Sequence, residues 1–201
     1  MRILEIGNRI VRKTTYILIL TLFLSSTVNS IAQSKRAIDS LERVISQGIP
    51  DTARINALIS LSDLYAFKDF TKSIQYSTGA IELAEKTKNH KLKVRAAQRL
   101  GVNYYYKGDY TNALKYESVA LQGAISGKDS ISIALSHNNI GNFYYELGEY
   151  DEAYYFLTYA YKILKRSAQT EKDSTITNIS LHNLGRVFKE LGQYQIALKH
   201  L

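Results

Sequence analysis

The chain of 201 residues has no cysteine, no tryptophan, one methionine and one proline. Without cysteine there are no disulfides, no thiolate zinc sites, no thiol nucleophile and no lipid-modified N-terminal cysteine. Pro50 is the single proline, and no long Gly- or Ser-rich stretch interrupts the chain, which fits continuous helix joined by short turns. Also missing are a nucleophile elbow, a phosphate-cradling glycine loop, an HExxH pair and a nucleotide fingerprint. No catalytic residue, cofactor or metal is therefore expected. His137 and His182 lie 45 residues apart, without the i,i+4 spacing or carboxylate partners of a metal site, so packing or groove roles are expected of them.

Apolar residues make up 45% of the chain and charged residues 22%, which is globular rather than disordered. The net charge is +8, and part of it belongs to residues 1–32, where Arg2, Arg9, Arg12 and Lys13 face only Glu5. The remaining basic residues are scattered. A nucleic-acid partner would call for a dense basic stripe, so none is expected. Tyr is the abundant aromatic, with 16 residues, and can cover a groove with an apolar ring and a polar tip.

Residues 1–32 have the layout of a secretory signal peptide. A basic segment ends at Lys13, an apolar core runs from Tyr16 to Leu24, and Ser30-Ile31-Ala32 places small residues at −3 and −1 of a cut before Gln33. The apolar core falls short of the ~20 residues that span a bilayer, although the long basic segment leaves an uncleaved anchor open. Export to a bacterial periplasm is the expectation.

Beyond the leader the chain repeats itself. Leu100-Gly101 with Tyr104, Ile140-Gly141 with Tyr144 and Leu184-Gly185 with Phe188 are each followed by a second glycine, a polar residue, a Tyr and an Ala. Those trailing sets are Gly108-Asp109-Tyr110 with Ala113, Gly148-Glu149-Tyr150 with Ala153, and Gly192-Gln193-Tyr194 with Ala197. The first glycines stand 40 and 44 residues apart, and a fainter copy with Ser62, Tyr65 and Ser73 lies 39 residues upstream. Self-similarity at such a period marks a solenoid of supersecondary units. Each unit reads as two helices. In the second unit they run over about 91–107 and 110–126, with Gly108 and Gly127 at left-handed stops and Asp109 capping the second helix. Asp129 and Asp173 are expected to cap the first helices of the next two units. Gly101 with Ala113, Gly141 with Ala153, Gly185 with Ala197 and Ser62 with Ser73 put small side chains on opposite sides of the turn, so the paired helices can approach closely. The first copy lacks the central glycine, and its turn should be one residue tighter.

The pattern L-G-x-x-Y, then G-x-Y-x-x-A, then a small residue at Ala120 and Ala160, resembles the tetratricopeptide repeat. The resemblance covers about 54–201, with units longer than the usual 34 residues, as in the long-unit subfamily similar to kinesin light chains, and without the usual proline. The resulting expectation is an all-α superhelical solenoid of antiparallel helix pairs. Its parts are a capping helix and turn at 33–50, then units at 51–90, 91–129, 130–173 and a truncated one at 174–201. Because Leu201 falls within a helix of the pattern, a fragment of a longer product or a shortened gene is expected.

The resemblance further implies that the first helix of each unit lines a concave, protein- or peptide-binding wall. Mapped from the motif glycine, its residues would be Arg95, Gln98, Val102, Tyr105 and Tyr106; Asn138, Asn142, Tyr145 and Glu146; and His182, Arg186, Lys189 and Glu190. Asn142 and Asn183 hold positions at which related repeats grip a peptide backbone, although an internal bridging role is the alternative. Tyr104, Tyr144 and Phe188 are packing residues by motif position. The leader, cap and Tyr-rich units are similar to the exported N-terminal sensor region of Bacteroidetes-type membrane signalling proteins, in which a transmembrane helix and a kinase or regulatory domain follow. A membrane partner would then depend on such a downstream helix. A free-standing periplasmic scaffold, a cytosolic adaptor and an enzyme with its catalytic domain beyond Leu201 remain the other readings.

Overall fold

The computed structural model describes residues 33–167 and 171–193, and among them every regular element is a helix. The leader at 1–32 and the motif residues Tyr194, Ala197 and Leu201 lie outside the described residues. The chain divides into two compact units, Met1–Arg43 and Val44–Leu201. Helix α1 spans 33–46, within the stretch read as a capping helix and turn. The second unit then holds α2 (Asp51–Tyr65), α3 (Phe70–Lys86), α4 (His90–Tyr106), α5 (Tyr110–Ser126), α6 (Ser130–Glu146), α7 (Tyr150–Ser167) and α8 (Glu171–Glu190).

Side-chain caps set the helix starts. Asp69, Asn89, Asp109 and Asp129 each accept the backbone N–H three residues on, all at 3.1 Å, which satisfies one of the four free donors of a helix start. Asp109 also accepts from the Asn112 side chain at 2.7 Å, and these two bonds hold its carboxyl below the usual carboxylate range. Asp173 departs from expectation: α8 begins two residues earlier, at Glu171, so Asp173 lies inside its first turn.

Left-handed residues set the stops. Gly108, Gly148 and Gly192 adopt φ of 80°, 80° and 72°, and the N–H of the following residue reaches back five positions, as in Asp109 N to Tyr104 O at 2.9 Å. The two turns that join the first three units close with the same hydrogen bonds, but Gly127 is not the left-handed residue there. Its φ is −82°, and Lys128 takes φ 53°, as Lys88 does one unit earlier. The stop is one residue later than the glycine suggested. In the first unit Asp69 N reaches only four positions back, to Tyr65 O, so that turn is shorter by one residue, as expected.

Within the first three pairs the small residues meet. A Cβ on Gly101 would stand 3.2 Å from the Ala113 carbonyl, and one on Gly141 would stand 3.2 Å from the Ala153 carbonyl. Ser73 Oγ donates to the Ser62 carbonyl at 2.8 Å, which makes the same close approach with a hydrogen bond. Ala113, Ala120, Ala153 and Ala160 are fully buried, Gly185 is buried, and Phe188 joins a core with Leu157, Leu184 and Val187. An aromatic pair closes each of the first three hairpins: Tyr65 with Tyr76, Tyr104 with Tyr116 and Tyr144 with Phe156 stack at 5.6, 5.4 and 5.5 Å. Each helix pair leaves an apolar face open, which the next unit covers: α3 packs on α4, α5 on α6 and α7 on α8.

Candidate functional site

The first helices of successive units (α2, α4, α6, α8) touch one another, whereas no two of the second helices (α3, α5, α7) do. In a curved stack the elements that approach more closely lie on the inner side. The first helices therefore form one continuous inner wall, and the solvent-facing side chains of that wall are the candidate site.

Bonds one unit long lace the wall together. Arg95 Nη1 donates to Asn56 Oδ1 at 3.0 Å, and Arg99 pairs with Asp63 at 3.2 Å. Further along, Arg186 Nη2 donates to Glu146 Oε1 at 2.9 Å while its guanidinium carbon sits 4.0 Å over the Tyr145 ring. Tyr105 donates to Glu146 Oε1 at 3.4 Å, and Tyr145 to Glu190 Oε1 at 3.3 Å. Tyr105 also stacks on Phe143 at 5.0 Å. Burial, with Glu146 alongside, pushes its hydroxyl up to about 12, so it remains a hydrogen-bond donor at neutral pH.

The expected wall residues divide into two groups. Arg95, His182 and Lys189 are exposed, Tyr106 is 42% exposed, and Val102, Tyr105, Asn142, Tyr145 and Arg186 are half-buried along the wall. Asn142 Oδ1 has no hydrogen-bond partner. Gln98, Asn138 and Asn183 are only 8%, 5% and 6% exposed, and they bridge units. Gln98 Nε2 donates to Ser132 O and Ser136 Oγ, both at 3.0 Å. Asn138 Oδ1 accepts from Ser180 Oγ and Asn183 Nδ2, both at 3.1 Å. Gln98 and Asn138 hold the same position of successive units, as do Ser136 and Ser180, so one register bond occurs twice. The internal bridging role is the one Asn183 takes.

Three residues that the sequence pattern did not single out complete the picture. Arg99 stands one helical turn from Arg95 on the exposed face of α4, and counting four along the helix would have found it. Asn103 is 2% exposed and donates to Ser62 Oγ at 2.7 Å and Ser77 Oγ at 3.2 Å, joining the first two units. Glu117 is fully buried at the corresponding joint between the second and third units, on the same face of α5 as Ala113, Ala120 and Ala124.

A separate cavity of about 540 Å³ lies between α4 and α5, lined by His90, Lys93, Val94, Ala97, Val119 and Gly123 among others. It exists because the second unit is small where the third is large: Ala97, Val119 and Gly123 correspond to His137, Tyr159 and Ile163. In the third unit the His137 ring packs on Tyr159 at 4.5 Å and on Phe156 at 5.7 Å, so this histidine is a packing residue. Among the described residues no group of three His, Cys, Asp or Glu side chains is placed to hold a metal ion.

The tetratricopeptide repeat family model matches residues 131–201. That stretch, 131–201, carries the tetratricopeptide repeat pattern. Solved structures with the same fold include BtubC (BKLC) from P. vanneervenii, 18% identical with a TM-score of 0.69, where 86% of this chain covers 72% of that one. A Rap protein complexed with competence and sporulation factor is 19% identical with a TM-score of 0.70, covering 84% of this chain and 48% of that one. NprR in complex with its cognate peptide NprX is 19% identical with a TM-score of 0.67, covering 84% of this chain and 49% of that one. The repeats thus span about half the length of the last two chains. No curated protein matches the sequence.

Proposed function

We propose that this chain is a non-catalytic module that holds a segment of a protein or peptide partner against the inner wall of its repeats. The observation that carries the reading is the continuous line of first helices from α2 to α8, which presents guanidinium, amide and tyrosine groups along one side. Side chains of this kind suit an extended backbone: amides offer a donor and an acceptor together, and tyrosine offers area at low entropic cost. The peptide held by NprR, a protein of the same fold, supports the reading. The leader pattern at 1–32 extends it to an exported module of a larger signalling protein. A periplasmic scaffold without an output domain is the competing reading.

A peptide array incubated with the purified chain tests the wall. Arg99→Ala and Asn142→Ala should each weaken the captured peptides several-fold with an unchanged melting temperature. Tyr155→Ala, at a 62%-exposed position on α7, should leave capture unchanged. Equal loss with Tyr155→Ala would move the site off the first helices. Export is tested separately, by the mass of the chain recovered from the periplasm: a start at Gln33 is expected, and an intact leader on cytosolic protein would remove that part of the reading.

A further inference from the structure

The joint between the second and third units is built around a buried acid. Glu117 of α5 is fully buried, at the position held by Ser77 in the first unit and Leu157 in the third. Its Oε2 accepts from Asn139 Nδ2 of α6 at 3.2 Å, and Ser136 of α6 also bonds its carboxyl. Ser136 Oγ itself accepts from Gln98 of α4, which leaves its hydroxyl proton for Glu117. The other oxygen, Oε1, is buried without any partner. The carboxyl packs closely on Gly101, where a Cβ would stand 3.0 Å from Oε2.

This arrangement costs a neutral acid less than it costs a carboxylate. An ionised carboxylate has about four acceptor sites and needs donors or water on both oxygens. The helices packed on α5 supply little positive charge. From α4 the facing charge is Arg99, already paired with Asp63 of α2, and from α6 the facing groups are the uncharged Ser136 and Asn139. The His137 ring of α6 is turned to Phe156 and Tyr159 of α7. An uncompensated buried charge is relieved by hydration, which a fully buried Glu117 gains only if the joint opens.

We infer that Glu117 makes the joint between the second and third units a proton-gated hinge, closed over the neutral acid and opened when the carboxylate forms. Burial pushes its carboxyl up to about 8, against 4.5 in water, so the gate operates around neutral pH. The sign follows: the closed joint keeps the proton and the opened one releases it, so raising the pH favours opening between 4.5 and about 8, with no further gain above. Opening separates wall residues on α4 from those on α6, including Asn142, and so alters the inner wall whatever it binds.

Hydrogen exchange of the whole chain from pH 6 to pH 9, corrected for base catalysis, tests the hinge. One-proton linkage predicts that the opening constant of amides in 110–146 rises up to about tenfold per pH unit, or roughly fiftyfold from pH 6 to pH 8, and then levels. Amides of α2 and α3 should show no such rise. Glu117→Gln and Glu117→Leu should both make the response of 110–146 flat. A flat wild-type response, an equal rise in α2 and α3, or the same rise in Glu117→Gln would each overturn the proposal. Should neither variant fold, carboxyl NMR of the wild-type chain decides: a Glu117 midpoint of 7 or above supports the hinge, and one below 7 overturns it.

Discussion

The Asn103 amide donates to the Ser62 hydroxyl at 2.7 Å across the joint between the first and second units, where the third and fourth units place Phe143 and Val187 at the Asn103 position. At this position the first joint is therefore held by a buried polar cluster, where the next two place an apolar side chain. Ser62 and Ser77 hydroxyls lose this donor in Asn103→Ala, but both retain bonds to Ser73. The expected cost is about 1–3 kcal/mol, from a lost buried hydrogen bond and a small cavity. Asn103→Leu should cost about as much despite its volume, because the serines remain polar. Urea unfolding monitored by circular dichroism reads both. An unchanged midpoint for Asn103→Leu would show that the bond adds nothing to the joint.

Gly141 and Leu157 are in tighter contact than Gly101 and its neighbours. A Cβ on Gly141 would stand 2.6 Å from Leu157 Cγ, the branch point of a fully buried side chain. On Gly101 the nearest atom is the Glu117 carboxylate oxygen at 3.0 Å, at the far end of a longer chain. Gly141→Ala should therefore cost about 1–3 kcal/mol by overpacking, and Gly101→Ala less. Thermal melts of the two variants should rank in that order, and the reverse ranking would mean that the α6–α7 pair relaxes more easily than its contacts indicate.

These two sites show which features the sequence exposes. The motif glycines and their alanine partners are legible because they repeat, and repetition announces itself in one dimension. The helix pairs, the tight first turn and the Ser62–Ser73 contact follow from that alone. The joints between units are harder, since each is filled differently: Ser77, Glu117 and Leu157 share one position but neither size nor charge. A buried acid among alanines was visible as a break in the apolar face of α5, although repeat matching passes over residues that do not recur. Gln98 and Asn138 were placed on the wall by register, but the next first helix covers them, and only three-dimensional spacing reveals that. The left-handed turn residue at Lys128 is concealed for another reason. Gly127 is the better left-handed former, but the hydrogen bonds from Lys128 to Ile125 and from Asp129 to Ala124 fix the turn one residue later.

Val94 and Gly123 form a size-compensated pair. A Cβ on Gly123 would meet Val94 Cγ2 at 2.7 Å, and the third unit carries Ala134 and Ile163 at the same two positions. Gly123→Ile alone should destabilise the chain by about 1–3 kcal/mol through that clash. Adding Val94→Ala removes the obstructing methyls and lets the isoleucine occupy the cavity between α4 and α5. The double variant should then match or exceed wild type, with a coupling of about 1–3 kcal/mol in a double-mutant cycle. Additive losses would show that the two positions do not compensate each other.

His137 gives the stability of the stack an acid-side pH dependence. Its ring lies between Phe156 and Tyr159, its Nδ1 is buried without a partner, and burial holds its pKa below the ordinary 6.5. Below pH 6.5 the unfolded chain takes up a proton that the native ring resists, so this group removes stability as the pH falls. Glu117 has the opposite sign over 4.5 to about 8, where the native acid keeps a proton that the unfolded one loses. Between pH 4.5 and 6.5 the two slopes oppose one another. His137→Phe keeps the aromatic packing and removes one of them. Its stability relative to wild type should therefore grow steadily as the pH is lowered from 7 to 5, read by urea midpoints at each pH. A difference that stays constant over that range would mean the imidazole titrates alike in the folded and unfolded chain, and that its site between the two rings admits water.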